Sequence, residues 1–85
     1  MITAAKDGGL KMVEPFLDQD ADINAVDGYY GTALQGAATA GREDMVELLL
    51  NRSADPNVKG GSWGTALQAA IRFGHDNVVR QLLSR

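Results

Sequence analysis

The 85-residue sequence has no cysteine, a single histidine (His75), two prolines, and only one Trp, two Tyr and two Phe. Without cysteine the chain forms no disulfide, and a lone imidazole with no thiolate beside it cannot build a structural zinc site. Apolar runs are short. None approaches the roughly 18 residues of a membrane span, and residues 1–9 lack a basic-then-apolar signal pattern. Positive charge is also scarce, with eight Lys and Arg against eleven Asp and Glu for a net charge of −3, which argues against a nucleic-acid binder. The length allows one small domain and not two. A domain this small buries only about 60% of its unfolded surface, and it has no covalent staple to compensate. The absence of cysteine fits a reducing compartment, so the expected location is intracellular, in the cytoplasm.

What the chain does have is self-similarity. Gly31-Thr32-Ala33-Leu34-Gln35 returns as Gly64-Thr65-Ala66-Leu67-Gln68, Ala21-Asp22-Ile23-Asn24 as Ala54-Asp55-Pro56-Asn57, and Met12-Val13-Glu14 as Met45-Val46-Glu47. All three recur at the same offset (64 − 31, 54 − 21 and 45 − 12 each give 33), and Gly8, Gly41 and Gly74 follow it too. Residues 31–52 and 64–85 agree at 11 of 22 positions, where chance gives about one or two. A 33-residue period therefore organises the chain.

Each period reads as helix, tight turn, helix and extended loop. Thr32 with Gln35, and Thr65 with Gln68, have the spacing of a capping box: the hydroxyl accepts from the backbone N–H three residues on, and the glutamine reaches back to the threonine N–H. Ala37 and Ala38, like Ala69 and Ala70, keep the first helix thin. Gly41 and Gly74 suit the left-handed position that ends it. In the second helix Met45 pairs with Leu49 and Val46 with Leu50 on one face, and Val78, Val79, Leu82 and Leu83 repeat the pattern. Glu43, Asp44 and Glu47 sit mainly in its first turns, where acids suit the helix dipole. The connecting segments 20–30 and 53–63 carry Asp, Asn, Gly and a Pro, and read as short hairpin-like fingers.

This order of elements at this period resembles the ankyrin repeat, whose pattern runs Gly-x-Thr-Pro-Leu-His-x-Ala-Ala-x-x-Gly-His, Val-x-x-Leu-Leu, Gly-Ala-Asp-x-Asn. Thr32, Leu34, Ala37, Ala38, Gly41, Val46, Leu49, Leu50, Ala54, Asp55 and Asn57 match it, as do Thr65, Leu67, Ala70, Gly74, His75, Val79, Leu82 and Leu83. The resemblance implies an all-α solenoid of helix-turn-helix units with β-like finger loops. About two and a half repeats are expected in a single domain over 1–85: a partial repeat 1–30, a full repeat 31–63 and a truncated repeat 64–85. The aromatic-Gly-Thr-Ala-Leu-Gln variant is similar to ankyrin arrays of filamentous fungi, which often end NACHT-type signalling proteins. Departures are Ala-Leu-Gln for Pro-Leu-His, and Asp20 and Ser53 where the pattern has glycine before Ala-Asp. Those two turns are expected to be slightly strained. Pro15, aligned with Leu48, falls where a helix interior is expected.

Gly60-Gly61-Ser62-Trp63-Gly64 satisfies the Gly-x-Ser-x-Gly pattern of a hydrolase nucleophile elbow. That motif needs a preceding strand, a large sheet and distant Asp and His partners, and the equivalent loop 27–31 has no serine. The loop also lacks the Gly-Lys-Ser/Thr ending of a phosphate-binding loop. His75 stands where the family has a structural histidine, and that role is favoured over a ligand or base. No catalytic residue, cofactor or metal is expected, and the chain reads as non-enzymatic.

In the family, finger tips and first-helix ends line a concave binding surface, which here implicates Tyr29, Tyr30, Trp63, Arg72 and Phe73 in partner binding. Tyr30 and Trp63, one repeat apart, are also expected to stack finger on finger, whereas Tyr29, Arg72 and Phe73 have no evident structural task. The expected function is protein–protein interaction with a partner of unknown identity, with neither nucleic acid nor membrane. The alternative is a structural segment of a longer array that self-associates weakly through its solenoid ends. Charge runs from −4 over residues 1–30 (2 − 6) to +2 over 64–85 (3 − 1), read as ordinary surface variation.

Overall fold

The computed structural model describes residues 22–26 and 31–84. Among these residues four helices follow in order: α1 (Ala33–Ala40), α2 (Glu43–Asn51), α3 (Ala66–Arg72) and α4 (Asp76–Leu83). α1 packs on α2 and α3 on α4 to make two layers, and the layers stack α1 on α3 and α2 on α4. This is the all-α repeat architecture expected, with equivalent helices 33 residues apart.

Both capping boxes form. Thr32 and Thr65 are extended at the entrance to α1 and α3, and their hydroxyls accept from the N–H of Gln35 and Gln68 at 3.1 and 3.2 Å. Each glutamine Oε1 in turn accepts from the threonine N–H. Three helix ends close with one pattern of paired bonds. Arg42 N–H donates to the Ala37 carbonyl and Gly41 N–H to Ala38; Ala54 to Leu49 and Ser53 to Leu50; His75 to Ala70 and Gly74 to Ile71. In each, the residue at the turn is left-handed, with φ of 71° at Gly41, 68° at Ser53 and 72° at Gly74. Ser53 is thus the one described non-glycine residue forced to positive φ, the strain expected where the repeat pattern has glycine. Asp20 and Pro15 lie outside the described residues.

Ala33, Leu34, Ala37, Ala38, Met45, Val46 and Leu49 are fully buried between the layers. The alanines let α1 and α3 approach closely, and the larger side chains of α2 fill the space behind. The second layer departs from the expected pattern. Val78 and Leu82 are buried, but Leu83 is 68% exposed where its equivalent Leu50 is 8% exposed, and Ile71 is 60% exposed where Ala38 is completely buried. The reason is positional, because among the described residues no further layer covers that side of α3 and α4.

The connecting segment carries an antiparallel bridge between Gly60 and Gly64 and, among the described residues, no strand. Its base repeats a local device. Asp22 Oδ1 accepts from Asn24 N–H, and Asp55 Oδ1 from Asn57 N–H, both at 2.9 Å. Asn24 then reaches across the junction, its Oδ1 accepting from the Asp55 N–H at 2.8 Å.

Candidate functional site

Trp63 precedes α3 and Phe73 follows it, so the two side chains must reach towards each other along the helix for the rings to meet. They do meet, edge to face, with centroids 5.1 Å apart and planes at 87°. The Arg72 guanidinium sits over the same indole, 4.8 Å from its centroid. The ring quadrupole attracts both the cation and the positive edge of a neighbouring ring, so the three side chains hold one another. Phe73 is stacked in turn near His75, with centroids 6.5 Å apart and planes at 26°. The result is a row of contacting side chains that runs from Trp63 to His75. Trp63 is half-buried, while Arg72 and Phe73 are exposed.

His75 anchors this row to the first layer. Its Nε2 lies 3.0 Å from the Thr39 carbonyl; a carbonyl only accepts, so Nε2 carries the proton and donates. The ring rests on Gly41, where a Cβ would come within 2.6 Å of Nδ1. These contacts give His75 the structural role expected of it. Thr39 also donates its hydroxyl to the Gln35 carbonyl at 2.8 Å.

Gln35 does more than cap α1. Its amide Nε2 donates across the junction to the carbonyls of Val58 and Gly60, each at 3.2 Å, and to that of Gly64. One buried side chain thereby fixes the position of the Gly60–Gly64 turn, and with it Trp63. Capping alone was legible from the spacing. The cross-junction bonds span 23 to 29 residues, and no local signal announces them.

Of the five expected binding residues, Trp63, Arg72 and Phe73 are brought together; Tyr29 and Tyr30 lie outside the described residues, as does the Tyr30–Trp63 stack. The Trp63–Phe73 pairing falls within one repeat, and no sequence signal announces it. Ser62 is exposed at the tip of the turn and follows no strand, and the one histidine is held by Thr39. The elbow geometry is therefore missing around it. An open polar cleft of about 400 Å³ lies at the helix-turn ends, lined by residues including Glu43, His75, Asp76, Asn77 and Arg80. Among the described residues there is no group of acids and histidine able to hold a metal, and no helix long and apolar enough to cross a membrane.

A family model described as ankyrin repeats (3 copies) matches residues 1–85. The search of curated proteins finds no match to the chain.

Proposed function

The chain belongs to the ankyrin-repeat family, whose repeats are generally protein–protein interaction modules and typically non-enzymatic, and from that premise we propose that it captures a protein partner on its concave side, through Tyr29, Tyr30, Trp63, Arg72 and Phe73. The observation that carries this reading is the mutual contact of Trp63, Arg72 and Phe73 on an otherwise small-residue surface. At the equivalent positions of the first layer, Arg72 and Phe73 are replaced by Thr39 and Ala40. Aromatic and arginine side chains held in place before binding lose little freedom on contact, which is what makes them effective anchors.

The chain's single tryptophan is a reporter inside the proposed site. Peptides selected from a displayed random library on the folded chain should shift Trp63 emission. They should lose at least about tenfold in affinity in an Arg72→Ala/Phe73→Ala variant with unchanged circular dichroism. Selected ligands indifferent to both substitutions would overturn the assignment.

A second reading has its own observation. Gln68 and Asn57 correspond to Gln35 and Asn24, whose side chains bond across the layer junction. Among the described residues the Gln68 amide and the Asn57 side chain make no such bond, and Ile71 and Leu83 are exposed. That end face is built to receive another repeat-like layer, as in a longer array or a head-to-tail contact between copies. Sedimentation should show concentration-dependent association that Ile71→Glu/Leu83→Glu abolishes. A monomer at all concentrations would remove the self-association part of this reading.

A further inference from the structure

We propose that the Trp63–Arg72–Phe73 surface takes a short acidic peptide segment bearing an aromatic or branched aliphatic residue. This rests on the concave-side binding reading and names the chemistry of its partner.

Around Trp63, Arg72 and Phe73 the described charge is of one sign. Residues 31–40 have no ionisable side chain, and residues 58–75 have Lys59, Arg72 and His75 but no carboxylate. Apart from Asp22 and Asp55 in the connecting segments, the described acids lie on the other helix of each layer: Glu43, Asp44 and Glu47 on α2 and Asp76 on α4. The one described ion pair, Arg42 with Asp44 at 3.9 Å, is also there. Lys59 and Arg72 are exposed, and among the described residues neither has an acid partner. Stacking over the indole engages the π face of Trp63 and leaves the guanidinium N–H donors for an incoming group. The indole N–H, itself only a donor, makes no hydrogen bond among the described residues. Guanidinium, ammonium and indole N–H are thus all donors, and the complementary ligand supplies acceptors, as carboxylates do bidentately. The exposed ring of Phe73 supplies the apolar contact beside them.

A short segment is favoured over a long polyanion for a physical reason. Within a Debye length of about 8–10 Å a bound peptide feels chiefly the local cations, whereas an extended nucleic acid meets the chain's whole charge of −3.

The test is the charge of the selected peptides. Library ligands whose binding depends on Arg72 and Phe73 should be enriched in Asp and Glu around an aromatic or aliphatic residue. Replacing those acids by Asn and Gln should weaken binding at least about tenfold, and Lys59→Gln/Arg72→Gln should erase the difference between acidic and neutral versions. If the ligands that depend on Arg72 and Phe73 are neutral or basic, or tolerate loss of their acids, the acidic-partner proposal fails while the surface assignment stands. If no ligand depends on those residues, the surface assignment fails first.

Discussion

Gln35 and Gln68 occupy equivalent positions and cap equivalent helices, yet their replacement by alanine should have unequal consequences. Gln68→Ala removes one bond to the Thr65 N–H at an exposed helix start, a loss of about 1 kcal/mol. Gln35→Ala removes the matching bond to Thr32 and also strips the side-chain donor from the Val58 and Gly60 carbonyls, while the Gly64 carbonyl keeps the Gly60 N–H. Those carbonyls are partly buried, so water replaces the donor only in part, and leaving even one unsatisfied costs a further 1–3 kcal/mol or so. The expected gap between the two variants is about 2 kcal/mol, a large fraction of the roughly 4–13 kcal/mol typical of a chain this long. In urea unfolding followed by circular dichroism, with a slope near 1 kcal/mol/M, Gln35→Ala should melt about 2 M earlier than Gln68→Ala. A Glu pair sharpens the comparison. Gln35→Glu keeps the cap acceptor but points an acceptor at three carbonyls, and should be at least as harmful as alanine; Gln68→Glu should be nearly neutral. Equal midpoints for Gln35→Ala and Gln68→Ala would refute the cross-junction role of Gln35.

Gly41 and Gly74 share a left-handed conformation but not surroundings, because a Cβ on Gly41 meets the His75 ring and one on Gly74 meets nothing within 4 Å. Gly74→Ala should therefore cost only the backbone penalty of about 1–2 kcal/mol, and Gly41→Ala distinctly more in the same melts. Ser53→Gly should raise stability by roughly 0.5–1 kcal/mol, since relief of the left-handed strain outweighs the added chain entropy; a lower melting temperature would contradict the strain at φ 68°. Phe73→Ala should cost about 1 kcal/mol and shift Trp63 emission to the red as the indole loses its edge contact with the phenyl ring.

Local signals made much of the fold legible. The capping boxes, the left-handed glycines and the paired apolar positions of α2 each involve residues within a few places of one another, and each forms as the spacing implies. Contacts across the junction were not legible, because they depend on how one layer sits on the next. Gln35 reads as a cap, and its second role emerges only when the turn after α2 returns to it. Leu83 matches Leu50 letter for letter, yet one is exposed and the other buried, since burial at a repeat position depends on the next layer and not on the residue. The site was legible as residue types and not as geometry. Trp63, Arg72 and Phe73 stand out as aromatic and arginine side chains, whereas their contact with one another follows from tertiary packing.

The most direct test of the proposed recognition surface is the resonance of the single indole N–H in a ¹⁵N-labelled chain titrated with a selected acidic peptide. The account predicts that this signal moves furthest, together with the amides of Arg72 and Phe73. A bound peptide that perturbs α2 and α4 and leaves the indole N–H where it was would contradict it.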